Sequence, residues 1–155
     1  MRHWRAAAFC LLMVTGARAE ADQPRRQCVP IGGSFFTNLA VVDANTTLGT
    51  VTGDLRGAVA ATILEIAPGD NGTTVFTVQH HIVTESGDIV NVNQARATAV
   101  MVAPGLFAVV SYPVTIVGGT GRFAGATGSF DNIGEVDLNT GRTTFRYQGR
   151  LCFEK

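Results

Sequence analysis

Val117-Gly118-Gly119-Thr120-Gly121-Arg122-Phe123-Ala124-Gly125-Ala126-Thr127-Gly128 is the stretch that decides how the chain folds. Five of its twelve residues are glycine, at positions 118, 119, 121, 125 and 128. Glycine at this density marks backbone in conformations that a Cβ forbids, or backbone packed close to a neighbour. Gly119-x-Gly121-x-x-Ala124 matches the dinucleotide-binding pattern in letters. That pattern also requires a long helix next, to aim its N-terminus at a pyrophosphate, and then a second parallel strand. Gly125 and Gly128 limit any helix here to a turn or two, and only 27 residues follow Gly128. The stretch therefore reads as a tight, one-turn structural connection between two strands.

Working outward, the flanking sequence breaks into strand-length pieces separated by turn formers. Residues 128–138 end at Asn139-Thr140-Gly141, and residues 142–153 close the chain. Upstream, 34–42, 48–55, 58–67, 73–85, 89–102 and 106–117 are divided by Asp43-Ala44-Asn45, Gly57, Pro68-Gly69-Asp70-Asn71-Gly72, Ser86-Gly87-Asp88 and Pro104-Gly105. No window keeps a 3.6-residue period. Eight strands at fairly even spacing with hairpin turns predict an all-β up-and-down barrel or sandwich.

Val-Gly-Gly-Thr-Gly-Arg-Phe-x-Gly-Ala-x-Gly resembles the segment shared by dirigent proteins and allene oxide cyclases, and in particular bacterial allene oxide cyclase-like barrel proteins. The resemblance runs from about Pro113 to Phe153; upstream it is only strand rhythm. It implies an eight-stranded antiparallel barrel with an apolar lumen, assembled as a homotrimer. It implies no chemistry by itself, because the motif is a connection without a catalytic group.

Residues 1–19 have the three parts of a signal peptide: Arg2 and Arg5, the apolar run from Ala6 to Val14, and the small-residue site Ala17-Arg18-Ala19. The expected mature chain begins at Glu20, with 20–33 as a lead-in and 34–155 as one barrel domain. The compartment is then secreted or periplasmic, and Asn45-Thr46-Thr47 and Asn71-Gly72-Thr73 are glycosylation sequons. About 136 residues suffice for one core and not two. Of twelve Lys and Arg, three lie in the leader, so nine remain against twelve Asp and Glu. A mildly acidic domain offers no basic footprint for nucleic acid, and no long apolar run provides membrane insertion. With Cys10 lost, Cys28 and Cys152 remain at opposite ends of an exported domain, and a disulfide between them is the natural reading.

Alternation assigns the faces. In the last strand Thr143, Phe145, Tyr147, Gly149, Leu151 and Phe153 share the inward face, opposite Arg142, Arg146 and Arg150. In residues 73–85 the apolar face is Thr74, Phe76, Val78, His80, Ile82 and Thr84. His80 is thus either a core histidine held by a hydroxyl or backbone partner, or a lumen acid–base or ligand contact. Glu65 follows Val59, Ala61 and Ile63 on one face, as a rim residue or as a catalytic carboxylate inside the lumen. Tyr112 falls in step with Leu106, Ala108, Val110, Val114 and Ile116, and its hydroxyl needs a partner. The expected lumen set is His80, Tyr112, Tyr147, Phe76 and Phe145, with His80 and Glu65 as the catalytic candidates. Asp131, Glu135 and Asp137 are expected to pair with the arginines across the final hairpin.

Between Ala95 and Val117 both faces are apolar, which a barrel wall wetted outside should not be. A second subunit, or residues 28–33 folded back, is the expected cover. The chain lacks the serine-hydrolase elbow, the zinc-protease helix, a P-loop and clustered metal ligands. No cofactor or metal is expected. Four functions stay open: a cyclase or isomerase acting by proximity, a guide for radicals made elsewhere, a carrier of a small hydrophobic molecule, and a structural barrel with a filled core.

Overall fold

A computed structural model describes residues 26–154. The expected signal peptide and cleavage site, and residues 20–25, lie outside the described residues. The chain forms strands β1 (Arg26–Leu39), β2 (Thr46–Val51), β3 (Gly57–Pro68), β4 (Thr74–Thr84), β5 (Ile89–Val92), β6 (Ala95–Ala103), β7 (Leu106–Ser111), β8 (Pro113–Gly119), β9 (Thr127–Asp137) and β10 (Arg142–Glu154). All pairings are antiparallel, and β10 pairs with both β9 and β1, so the sheet closes. Ten strands make eight barrel staves because two staves are broken. β5 and β6 continue one line beside β4; β7 and β8 continue the next beside β9. The fold is a closed, eight-stranded antiparallel barrel.

Each break has a chemical cause. Pro113 has no N–H to give a ladder and restrains Tyr112 before it. The register slips there, from Ala99↔Val109 to Thr98↔Ser111, leaving Val110 as an extra residue. In the other broken stave Asn93 donates its backbone N–H to Thr115 O at 3.0 Å. The Gln79 amide reaches across the same gap to Val92 O and to its neighbour His80 O.

β1 begins at Arg26 rather than at Ser34. It runs against β10 from Arg26↔Glu154 to Asn38↔Arg142, and Cys28 lies opposite Cys152, to which it is disulfide-bonded. Residues 26–33 are therefore barrel wall, which corrects their reading as part of a lead-in and removes them as a cover for the 95–117 face. Pro30 is tolerated because β2 flanks β1 only from Phe35 onward, leaving one edge free. Gly33 has a packing reason: a Cβ there would lie 2.0 Å from Thr52 O.

That contact belongs to the 3-10 turn Gly53–Leu55, which closes one end of the barrel. Leu55 is fully buried, and its N–H donates to the Tyr147 hydroxyl at 3.0 Å; that hydroxyl donates in turn to Thr52 O at 3.0 Å. Phe35 and Phe130 pack on the Tyr147 ring, and Ile82, Val90, Val114, Ile116 and Phe123 fill the same half. The Gly-rich stretch forms the one-turn connection, Gly121–Phe123, between β8 and β9. Gly121 has φ +52°, and a Cβ there would strike the Asp88 carboxylate at 1.8 Å.

Candidate functional site

The closed half leaves the opposite half of the lumen open. Its water-accessible volume is about 60 Å³, room for about four to six water molecules. Walls of Phe35, Val59, Ala61, Ile63, Phe76, Val78, Ala97, Val109, Val136 and Phe145 make it apolar. Small side chains at 61 and 97, on the two staves that flank β4, keep the space free. Asp137 and Gly141 belong to the final hairpin, at the mouth. Among the described residues no lysine or arginine lines the cavity.

Polar groups gather at the floor, where the open half meets the filled one. His80 Nε2 and the Tyr112 hydroxyl are 2.7 Å apart, and both side chains are buried. The alternation of β4 sends His80 inward between Val78 and Ile82, and the break before Pro113 sends Tyr112 inward to meet it. Burial disfavours the charged imidazole, with the neighbouring His81 a smaller cause, and His80 falls from 6.5 to about 4. Burial likewise pushes the Tyr112 phenol above its ordinary range. The pair is neutral near pH 7, and Tyr112 keeps its proton.

Asn132 completes the floor. Its Nδ2 and its backbone N–H both donate to Tyr112 O, at 3.0 Å each, so the amide is oriented and Oδ1 is its free acceptor. Two buried side-chain atoms in the described protein have no protein partner, His80 Nδ1 and Asn132 Oδ1, and both residues line this cavity. The other inward polar groups are satisfied: the Thr37 and Thr143 hydroxyls bond each other at 2.6 Å, and Thr47 donates to Ala61 O.

His80, Tyr112, Phe76 and Phe145 line the cavity, and Tyr147 and Glu65 do not. Tyr147 is inside the barrel, but its hydroxyl is spent on Thr52 and Leu55 in the filled half. Glu65 is displaced by a bulge: Ile63 pairs with Val78 and Glu65 with Thr77, so Leu64 is an extra residue. One inserted residue inverts the face that follows. Glu65 consequently shares the outward face with Thr77 and is exposed, which removes it as a lumen carboxylate. The same effect corrects the strand before Tyr112, where Phe107 and Val109 are buried and Val110 is exposed. Asp137 spends its carboxylate on Asn139 N and the Thr140 hydroxyl, and those bonds hold it below the usual carboxylate range. The expected ion pairs across the last hairpin do not form among the described residues. Asn132 was not singled out from sequence, although period two places it inward between Phe130 and Gly134.

Among the described residues no group of three or more His, Cys, Asp or Glu is arranged to hold a metal ion, and no helix is long and apolar enough to cross a membrane. No family model matches the chain, and no curated protein matches it in sequence. Among solved structures, the chain is similar to the pterocarpan synthase dirigent protein GePTS1, at 16% identity and TM-score 0.37, covering 86% of this chain and 94% of that one. It is also similar to the pterocarpan synthase dirigent protein PsPTS1, at 18% identity and TM-score 0.33, covering 86% of this chain and 99% of that one.

Proposed function

We propose that this protein is an exported barrel that binds a small hydrophobic molecule in the open half of its lumen. The observation that carries the reading is an apolar cavity lined by His80 and Asn132, the two residues that, among the described residues, carry buried side-chain atoms without a protein partner. Ligand sites have this composition, largely apolar with a few placed polar groups that fix orientation. A molecule confined between Phe76, Phe145 and Val109 is held in few conformations. Cyclisation or coupling of such a molecule is then favoured by proximity alone, without a redox centre in the protein. Export accords with the leader-like residues 1–19 and with the Cys28–Cys152 bond, which persists in oxidising compartments.

Displacement of an environment-sensitive naphthalene dye by hydrophobic ligands tests the site. Ala61→Phe, which fills the lumen, should weaken binding by about tenfold or more, the size of effect expected from a blocked apolar pocket. Arg146→Gln on the outer face should leave it unchanged. Equal binding by Ala61→Phe would place the ligand elsewhere, and no binding at all would favour a purely structural barrel.

A second copy of the chain is the proposed cover for the apolar outer wall. Val100 and Val110 are exposed on the outer face of β6 and β7, whereas Met101, the register partner of the inward Phe107, is exposed on the lumen side near the mouth. Exposed apolar side chains grouped on an outer wall are a mark of protein–protein contact. Val100→Asp or Val110→Asp should dissociate the oligomer in light scattering while the β-type circular dichroism is kept. A monomer at high micromolar concentration, before any substitution, contradicts this assembly.

A further inference from the structure

The hydrogen-bonding capacity of the lumen floor can be counted atom by atom. Tyr112 is protonated, and His80 Nε2 is the partner its hydroxyl has within the described protein. If Nε2 carried the imidazole hydrogen, the buried Tyr112 O–H would have no acceptor. The arrangement that wastes neither group has Tyr112 donating to Nε2, which leaves the imidazole hydrogen on Nδ1. His80 Nδ1 is then a donor without an acceptor. Asn132 Oδ1 is an acceptor without a donor, because one Nδ2 hydrogen bonds Tyr112 O and so fixes which end of the amide is the oxygen. Both residues are more than nine-tenths buried by exposed area, His80 at 9% and Asn132 at 2%. An unmet donor and an unmet acceptor beside one cavity call for a group that both accepts and donates.

We propose that the lumen selects a small neutral alcohol, whose hydroxyl accepts from His80 Nδ1–H and donates to Asn132 Oδ1 while its hydrocarbon part lies against Val109, Phe76 and Phe145. The proposal rests on the lumen-binding function given above and adds the chemical class of its ligand. A carboxylate is a poor occupant, since it only accepts and so opposes Asn132 Oδ1. The cavity has no cation to offset its charge, and Asp137 stands at the mouth. An ether accepts from His80 but gives nothing to Asn132. A hydrocarbon leaves both atoms unpaired.

The test compares 1-hexanol, methyl pentyl ether, hexanoate and hexane by NMR titration of the whole mature protein at pH 7. Hexanol should bind about tenfold or more tightly than the ether or the carboxylate, as expected when a buried polar partner is left unmet. His80→Phe and Asn132→Leu should each bring the hexanol-to-ether ratio towards one while hexane still binds. The comparison of the four probes needs no variant, so it stands if Asn132→Leu does not fold. Ether or hexanoate binding as well as hexanol, with hexane also bound, overturns the alcohol assignment and leaves lumen binding intact. Retention of the hexanol preference by both variants also overturns it. Failure of all four to bind overturns the lumen-binding function itself, and the alcohol assignment with it.

Discussion

Replacing Cys28 and Cys152 together by serine lowers the stability of the chain from Glu20 onward by about 4–5 kcal/mol on the chain-entropy account of cross-links. The bond joins residues 124 apart in sequence, nearly the whole described chain, and closure entropy grows with loop length. The native geometry asks little in return, because Cys28 and Cys152 are already register partners in the β1–β10 ladder. Small domains have only about 5–15 kcal/mol of stability in all, so the double variant should be near the edge of folding. Urea unfolding of the intact and reduced proteins measures the difference. Intact mass with and without reductant should first differ by two hydrogens. A change under about 1 kcal/mol would mean that the reduced chain keeps the β1–β10 seam in its unfolded ensemble.

The second large effect is acid sensitivity through one imidazole. In the folded protein His80 stays neutral down to about pH 4, whereas in the unfolded chain it takes a proton near 6.5. Between those values the unfolded state binds the extra proton, so stability falls as the pH is lowered from 6.5 and levels off below about 4. The full loss is about 3 kcal/mol. Asp43 and Asp137, held low by hydrogen bonds in their own turns, act in a lower window: their contribution is present above 3.8 and is lost as the pH falls through their folded values. Chemical unfolding at a series of pH values separates the two windows. His80→Phe should flatten the slope between pH 6.5 and 4 and leave the lower limb in place. An unchanged slope in that variant would assign the acid response to other groups.

How far the sequence could be read depended on where the ladder stays regular. In β4 and β10 strict alternation puts Phe76, Val78, His80, Phe145 and Tyr147 inside, and the structure has them there. The Gly-rich connection was legible because its glycines rule out a long helix. Faces were misread where a residue is inserted. Leu64 and Val110 are ordinary apolar residues, and nothing in their type marks them as extra, although Pro113 flags a break near the second. Pro30 and Gly32-Gly33 read as loop formers, yet one faces a free strand edge and Gly33 makes room for the Thr52–Leu55 turn. Tyr147 was placed inside correctly, but its hydroxyl partners come from a turn some ninety residues earlier, 92 and 95 positions away, and period-two patterning says nothing of such distances. For Asn132 the signal was present and weak: a polar residue in step with Phe130, beside more conspicuous acids.

The central claim is that half of this barrel is open to a ligand, and a crystal of the chain from Glu20 onward held under xenon, then soaked with hexanol, tests it most directly. The account predicts density for both in the lumen between Phe76, Val109 and Phe145, with the hexanol oxygen within hydrogen-bond reach of His80 Nδ1 and Asn132 Oδ1. Side chains collapsed into that space, with xenon and hexanol bound only on the outer wall, would contradict it.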